Sequence, residues 1–218
     1  MLPAGILDNQ QLAAEFPDWP AEKIESKTGI KQRHIADQSQ CASDLAVAAG
    51  AKLFATGVIE KSAVDFILLC TQSPDFILPT TACLIQDRLG LSKNCGALDY
   101  NLGCSGFVYG LGFAKGLLET GQASNVLLIT SETYCKHIHP GEKSVRTIFG
   151  DAAAATLVSA SPSTEDYIGP FVYGTDGSGA PNLIVSTGGS RKARVANAPT
   201  LTDESGNQRT ENDLYMTG

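Results

Sequence analysis

The sequence predicts an α/β protein in which neighbouring strands are parallel and helices cover both faces of the sheet. Two continuous apolar runs of strand length, FILLCT at 66–71 and NVLLIT at 125–130, support this class. Such runs are typical of strands that are buried on both faces. Predicted helices separate them along the chain, as they do in proteins built from alternating strands and helices.

The composition is that of an ordinary folded protein and argues against several functions. The chain has 218 residues, of which 43% are hydrophobic and 18% charged, and its formal net charge is −7. This acidic balance and the lack of a basic run argue against general nucleic-acid binding. No stretch approaches the roughly 20 apolar residues of a membrane span. No signal-like start is present, so we expect a cytoplasmic protein.

The sequence of residues 1–56 predicts three helices. Residues 9–16 form a short helix, and residues 20–27 form a second with Pro20 in its first turn and Gly29 as its stop. Residues 41–56 are rich in alanine and form a longer helix.

The remaining elements alternate between helix and strand. Helices are predicted at 80–89 and 104–120. Strands are predicted at 96–100 and 152–160, the latter from its position because its propensity fits either type, with further strand candidates between 171 and 186. The segment 188–213 is polar and aperiodic, which predicts a long loop.

The helix predicted at 104–120 is apolar almost all round and carries four glycines, Gly106, Gly110, Gly112 and Gly116. Each glycine costs about 1 kcal/mol relative to alanine inside a helix. We therefore expect a buried helix whose glycines permit the close approach of another helix.

Cys104 stands where this helix begins. The first turn of a helix presents unpaired backbone N–H groups and the positive end of the helix dipole, and both stabilise a thiolate. The same N–H groups can hold the oxyanion that forms when a thioester carbonyl is attacked. The position therefore indicates a nucleophile, although a small residue in a tight turn would explain it equally well.

Three other patterns in the sequence could indicate a different site. The order Gly103-Cys104-Ser105-Gly106 does not fit the nucleophile elbow of α/β-hydrolases. GTDGSGAP at 174–181 lacks the lysine of a P-loop and indicates a turn. The alternating Cys135, His137 and His139 could form a zinc trio, but no fourth ligand pattern accompanies them, so we expect loop histidines and no metal.

Three motifs in order, TGIKQRHIA, LDYNLGCSGFVYGL and TIFGDAAAATLV, resemble β-ketoacyl-ACP synthase III of the thiolase superfamily. The resemblance runs from Leu2 to the end of the chain. It implies a thiolase-like α/β fold with a mixed, mostly parallel sheet and helices on both faces, as one of two similar halves. It also implies a homodimer.

The resemblance implies an acyltransferase in which Cys104 is acylated by an acyl-CoA or acyl-ACP primer. Malonyl-ACP then loses carbon dioxide, and its carbanion attacks the thioester to give a β-ketoacyl-ACP. The expected partners are therefore acyl-CoA and acyl carrier protein (ACP), without nucleic acid or membrane. CoA thioester is a substrate here, and we expect no cofactor.

Three further site residues follow from the resemblance. Leu78 matches a position that shapes the acyl pocket across the dimer interface and is often aromatic, so a leucine implies a roomier pocket and a primer longer than acetyl. Lys27 and Lys143 replace arginines that meet the CoA phosphates, and Lys23 stands where the family has a tryptophan. Lysine can meet phosphate as a point charge, but all three could also be solvated surface lysines.

The match to the family is expected to be partial. The chain starts after the place of the family's first strand, and DLYMTG at 213–218 resembles the opening of the second half. The family's catalytic histidine and asparagine belong to that half, and His34, His137 and His139 match neither. We therefore expect residues 1–218 to be an N-terminal condensing-enzyme domain that lacks full activity alone.

Two alternatives remain open at this point. The same cysteine could pass an acyl group to an alcohol or amine without condensation, or the chain could be an inactive copy that pairs with another subunit. The sequence does not define the primer, the pathway or the acyl acceptor.

Overall fold

The computed structural model describes residues 1–217, which form two compact units. The first unit comprises residues 1–3, 39–133 and 152–172, and the second comprises residues 4–38, 134–151 and 173–217. None of the helices in the described chain is both long and apolar enough to cross a membrane.

Six α-helices and ten strands occur in the described residues. The helices are α1 (Asn9–Glu15), α2 (Ala21–Thr28), α3 (Ala42–Ala55), α4 (Thr81–Leu89), α5 (Gly106–Glu119) and α6 (Lys143–Arg146). The strands are β1 (Gly5–Asp8), β2 (Gln32–Ile35), β3 (Phe66–Cys70), β4 (Gly96–Tyr100), β5 (Asn125–Glu132), β6 (Ala152–Ser159), β7 (Leu183–Val185), β8 (Leu201–Thr202), β9 (Gln208–Arg209) and β10 (Leu214–Met216). Short 3₁₀ turns occupy Lys61–Ala63, Tyr134–His137 and Gly177–Asn182.

A four-stranded sheet in the order β4-β3-β5-β6 forms the centre of the first unit. β3 is parallel to both β4 and β5, whereas β6 is antiparallel to β5 along its whole length. The predicted mixed, mostly parallel sheet is therefore confirmed. The parallel strands β3 and β4 end together, because their last residues, Cys70 and Tyr100, are register partners. The loops that follow both strands therefore begin at the same end of the sheet.

Side chains that alternate along the strands supply the two layers of core in this unit. Ile67 and Leu69 lie in the cluster that contains residues of α3 and α4, whereas Leu68 and Leu128 lie in the cluster that contains Ala114 of α5. Successive strand residues point to opposite faces, so each strand contributes to both layers. Each fully buried leucine or isoleucine stabilises the fold by about 1.5–3 kcal/mol.

The sequence predicted that α5 is buried on all sides, and this prediction was wrong. Its buried residues are Gly106, Gly110 and Ala114, which recur every four positions and form one narrow face. A Cβ at Gly110 would lie 2.2 Å from the Tyr100 Oη and 2.5 Å from a Leu128 methyl. Side chains of the sheet, not another helix, therefore require this glycine. Outside this face, Phe107 and Val108 are 41% and 50% exposed.

Two predictions about the later part of the chain differ from the structure. Of the strand candidates between 171 and 186, only Leu183–Val185 is a strand, and residues 171–176 are irregular. The segment 188–213 is mostly irregular but holds the two-residue strands β8 and β9, which pair as a small hairpin. Single-sequence patterns give little signal for strands this short.

The second unit contains an antiparallel pair that the sequence did not predict. β1 pairs with β2 from Gly5 opposite Ile35 to Asp8 opposite Gln32. Asp8 then caps α1 by accepting a hydrogen bond from the Gln11 N–H, and the Gln11 side chain accepts from the Asp8 N–H. This reciprocal arrangement is a capping box.

Buried polar contacts fix the loops of the second unit. The Asp151 carboxylate accepts hydrogen bonds from the Ala36 N–H at 2.8 Å and the Cys135 N–H at 3.0 Å. The buried Arg33 guanidinium donates to the Thr147 carbonyl and to the Asn9 side chain. Because each of these groups bridges distant parts of the sequence, the loops are held by the core and not by their own propensities.

Candidate active site

Cys104 lies in a tight turn between β4 and α5 and is exposed. β4 ends at Tyr100 and α5 begins at Gly106, so the cysteine stands two residues ahead of the first helical residue. The predicted helix at 104–120 therefore begins slightly later than expected. The strand-to-helix position of the thiol is as predicted.

The turn around Cys104 is closed by one backbone hydrogen bond, from the Gly106 N–H to the Gly103 carbonyl at 2.8 Å. Within residues 1–217, the N–H groups of Cys104 and Ser105 meet no acceptor. Unpaired donors at the start of a helix can receive a developing negative charge. The backbone beside the thiol therefore has the donors that an oxyanion needs.

Two polar side chains at the ends of β3 and β4 donate hydrogen bonds to backbone carbonyls of the turn. The Cys70 thiol donates a hydrogen bond to the Leu102 carbonyl at 2.9 Å. The Tyr100 hydroxyl donates to the Gly106 carbonyl, also at 2.9 Å. Burial raises the pKa of the Cys70 thiol and, more strongly, that of the Tyr100 phenol, so both groups remain protonated donors at neutral pH.

A carboxylate holds the segment that follows β3 close to the same turn. Glu132 accepts from the Gln72 N–H at 2.7 Å and from the Ser73 hydroxyl at 2.7 Å. The Gln72 side chain in turn packs against Gly103, where an added Cβ would lie 2.7 Å from its amide oxygen. A residue larger than glycine at 103 would displace Gln72.

Leu78 lies in the loop between β3 and α4, in the same unit as Cys104. Ile77 and Leu78 are 89% and 83% exposed, so the tip of the loop is an apolar projection. The base of the loop is ordered by Asp75, which accepts hydrogen bonds from the Ser43 N–H and hydroxyl at 3.1 and 2.6 Å.

Lys27 and Lys143 both belong to the second unit. The Lys27 ammonium lies 5.5 Å from the centroid of the Trp19 ring, and the Lys23 ammonium lies 5.0 Å from it. These distances are within the range of cation–π contacts. Lys143 is buried, and its Nζ forms an ion pair with Asp18 at 2.5 Å, which lowers the pKa of that carboxyl.

The residues of the conceivable zinc trio are engaged separately. The Cys135 thiol faces the Phe149 carbonyl at 3.6 Å, and burial raises its pKa. His139 accepts a hydrogen bond from the Gly141 N–H at 3.0 Å through Nδ1. Across residues 1–217, no group of three or more His, Cys, Asp or Glu side chains is placed to hold a metal ion.

The residues that surround the turn were not predicted from the sequence. Cys70 and Tyr100 are the last residues of β3 and β4, and Glu132 is the last residue of β5. In α/β folds, sites form at the carboxyl ends of parallel strands. That rule, applied to the predicted strands 66–71 and 96–100, would have found the first two.

The fold is thiolase-like, with the mixed sheet and the helices on both faces that the sequence predicted. A family model described as 3-oxoacyl-[acyl-carrier-protein (ACP)] synthase III matches residues 98–177, which contain Cys104. The chain thus resembles β-ketoacyl-ACP synthase III in sequence as well as in fold.

Two curated relatives carry the name β-ketoacyl-[acyl-carrier-protein] synthase III. The relative from Caldanaerobacter subterraneus subsp. tengcongensis is 40% identical over 190 residues, which are 87% of this chain and 56% of that protein. The relative from Clostridioides difficile strain 630 is 40% identical over 190 residues, 87% of this chain and 57% of that protein. The chain thus spans little more than half the length of these relatives.

Two solved structures are similar along the whole chain. A 3-oxoacyl-(acyl-carrier-protein) synthase III has a TM-score of 0.97 and 56% identity, and the match covers 100% of this chain and 65% of that one. A 3-oxoacyl-(acyl-carrier protein) synthase from Burkholderia xenovorans LB400 has a TM-score of 0.86 and 33% identity, with coverage of 100% and 60%.

Proposed function

We propose that this chain is an acyltransferase of the β-ketoacyl-ACP synthase III type and that Cys104 is the residue that carries the acyl group. The observation on which the proposal rests is the exposed thiol of Cys104 in the turn ahead of α5, beside two unpaired backbone N–H groups. The match of the family model across this turn supports the same assignment.

The bond changes of the acylation step involve Cys104 and the backbone beside it, which belong to the first unit. The Cys104 sulfur attacks the carbonyl carbon of an acyl thioester, and the carbonyl oxygen becomes an oxyanion that the nearby N–H groups can receive. The intermediate then collapses, the bond from carbon to the donor sulfur breaks, and the donor leaves as a free thiol with the proton from Cys104. The product is an acyl-cysteine thioester and CoA, or ACP where the primer is carried on ACP.

Condensation with malonyl-ACP is the second half of the proposed reaction. The resemblance assigns the histidine and asparagine of that step to the family's second half, so we propose that residues 1–218 supply acylation and need those groups for condensation.

Leu78 is proposed to set the length of the primer. Its exposed side chain stands at an apolar tip with Ile77, in a loop whose base is fixed by Asp75. A leucine fills less space than an aromatic ring, so we expect acyl chains longer than acetyl to acylate Cys104 efficiently. A comparison of acetyl-CoA with octanoyl-CoA tests this, and a strict preference for acetyl would contradict it.

Lys27 is proposed to meet the phosphates of CoA, together with the neighbouring Trp19 ring. Trp19 lies four residues before Lys23 and eight before Lys27, and its ring contacts both ammonium groups. An indole ring beside two ammonium groups is suited to binding a nucleotide. The ring can stack on the base, and a lysine can form an ion pair with a phosphate. Lys143 is proposed for the same role, but there a phosphate must compete with Asp18.

The proposed function is tested by acylation of the chain with octanoyl-CoA, followed by mass spectrometry of the intact protein and of its peptides. We expect one octanoyl group on Cys104 in the parent and in Cys83→Ala. Cys83 provides a matched control because it is also an exposed cysteine. In Cys104→Ala we expect no octanoyl group.

Two results would contradict the proposal. One is a parent protein that takes up no acyl group although its fold is intact by circular dichroism. The other is equal labelling of Cys83 and Cys104, which would indicate chemical acylation of any accessible thiol.

The role of Lys27 is tested with one donor that carries the phosphates of CoA and a second donor that lacks them together with most of the pantetheine arm. Lys27→Ala is expected to raise the octanoyl-CoA concentration for half-maximal labelling about tenfold, the loss of one charged contact, and to leave labelling by octanoyl-N-acetylcysteamine unchanged. Lys31→Ala is the matched control, because Lys31 is an exposed lysine paired with Glu25. An equal effect on both donors would contradict a phosphate contact.

A further inference from the structure

Two hydrogen bonds bracket Cys104 at equal distances along the chain. The Leu102 carbonyl, two residues before it, accepts from the Cys70 thiol, and the Gly106 carbonyl, two residues after it, accepts from the Tyr100 hydroxyl. Both donors are the last residues of their strands and are register partners in the parallel sheet. The carboxyl ends of β3 and β4 therefore hold the turn on both sides of Cys104.

We propose that Cys70 and Tyr100 are positioning residues that fix the backbone N–H groups around Cys104 for the oxyanion of the acylation step. The proposal rests on the proposed function, because the oxyanion forms only if Cys104 is acylated. It gives the two side chains a role in the rate of acylation that is separate from their packing in the core.

The chain leaves the turn few other constraints. Its backbone hydrogen bonds run from the Gly106 N–H to the Gly103 carbonyl and from the Leu102 N–H to the Tyr100 carbonyl, and the Ser105 side chain makes no capping hydrogen bond. A peptide plane turns as a unit, so a carbonyl held by a donor also sets the direction of the N–H in the same plane. The Leu102 carbonyl shares its plane with the Gly103 N–H, one residue before Cys104, and thus fixes the entry to the turn.

The surroundings show that the two donors are built into the fold. A Cβ at Gly106 would lie 2.2 Å from the Cys70 sulfur, and a Cβ at Gly110 would lie 2.2 Å from the Tyr100 Oη. Glycine at both positions lets α5 approach the strand ends closely enough for the hydrogen bonds to form. An apolar core would not need a thiol and a phenol here, whose polar atoms must be satisfied when buried.

The test compares two reactions of Cys104 that differ in their need for an oxyanion. Acylation by octanoyl-CoA passes through a tetrahedral oxyanion, whereas alkylation by iodoacetamide displaces iodide at a saturated carbon and forms none. We expect Tyr100→Phe and Cys70→Ala to lower the limiting rate of acylation about tenfold, as misplaced catalytic groups do. The half-saturating octanoyl-CoA concentration is expected to stay within about twofold of the parent, and the alkylation rate is expected to fall clearly less than the acylation rate.

Conservative replacement separates positioning from packing. Cys70→Ser keeps a donor toward the Leu102 carbonyl and is expected to restore most of the acylation rate, although it packs less well than a thiol. Phe113→Leu is the control for packing. The Phe113 ring packs edge-on against the Tyr100 ring, with 5.7 Å between the ring centroids, and its side chain has no hydrogen-bond donor. We expect its acylation rate to match that of the parent.

The outcomes distinguish the two proposals. A parent that is alkylated at Cys104 but never acylated would overturn the proposed function and, with it, the positioning role. If the parent and Tyr100→Phe are acylated at the same limiting rate, the positioning role is wrong but the proposed function still holds. Equal losses of acylation and alkylation would also overturn it, since they would indicate a general disturbance of the turn. If Cys70→Ala does not fold, Tyr100→Phe and Cys70→Ser decide the matter.

Discussion

At the scale of single residues, the six cysteines differ in environment although they share a chemistry. Cys104 and Cys83 are exposed, whereas Cys70 is buried and Cys135 is half-buried. Burial raises the pKa of the Cys70, Cys95 and Cys135 thiols. A raised pKa leaves less thiolate at a given pH, and the thiolate is the reactive form.

We therefore expect native protein at pH 8 to be alkylated by iodoacetamide at Cys104 and Cys83, with Cys70, Cys95 and Cys135 protected. The protected thiols should react as the pH rises well above 9 or when the chain is unfolded in guanidinium, because unfolding returns their pKa to the usual range near 8.5. Peptide mass spectrometry measures each site. Labelling of Cys135 in native protein as fast as that of Cys104 would contradict this ranking.

The sequence suggested the role that we propose for Cys104 but not the residues around it. A cysteine between a strand and a glycine-rich helix is a local pattern that can be recognised in one stretch of sequence. The hydrogen bonds of Cys70 and Glu132 link positions that are 32 and about 60 residues apart. Such contacts depend on the sheet register, which a single sequence does not define.

At the scale of elements, the glycines of α5 serve different purposes. Gly106 and Gly110 face side chains of the sheet, whereas a Cβ at Gly116 would meet no atom within 4 Å. Their spacing in the sequence predicts a single close contact for all four glycines. Spacing identifies a shared face of the helix but not the element that packs against it.

Two substitutions in α5 are expected to change stability in opposite directions. Gly110→Ala should lower the free energy of unfolding by about 1–3 kcal/mol, because the new methyl overlaps Tyr100 and Leu128. Gly116→Ala should raise it by about 0.5–1 kcal/mol, because alanine is the better helix former and the position is open. Urea denaturation followed by circular dichroism measures both, and a stabilising Gly110→Ala would contradict the packing described for α5.

At the scale of the whole molecule, long periodic elements were predictable and short pairings were not. The five longest helices and the four strands of the central sheet were predicted close to their observed bounds. The strands β1, β2 and β10 were missed, although β7, the partner of β10, was among the predicted candidates, because strands of three or four residues contain too little pattern. The exposed apolar residues of α5 were also unexpected, since periodicity alone does not say which apolar face is covered.

The exposed apolar tip at 76–78 leads us to expect self-association, in line with the homodimer that the resemblance implies. Exposed apolar residues grouped on one projection are typical of interaction surfaces. Ile77→Asp is expected to raise the dissociation constant of the dimer about tenfold or more. Val172→Asp, at an apolar residue that is 98% exposed, should not change it. Sedimentation equilibrium measures both, and a monomeric parent at 100 µM, roughly the limit of weak association, would contradict the expectation.

The central claim is that Cys104 accepts an acyl group reversibly from a CoA thioester. The most direct measurement is the exchange of isotope-labelled CoA into unlabelled octanoyl-CoA, because each exchange requires one acylation of the protein and one return of the acyl group to CoA. The account predicts exchange in proportion to protein concentration for the parent and Cys83→Ala, and none above the protein-free rate for Cys104→Ala. Exchange that persists in Cys104→Ala, or that the folded parent fails to catalyse, would contradict it.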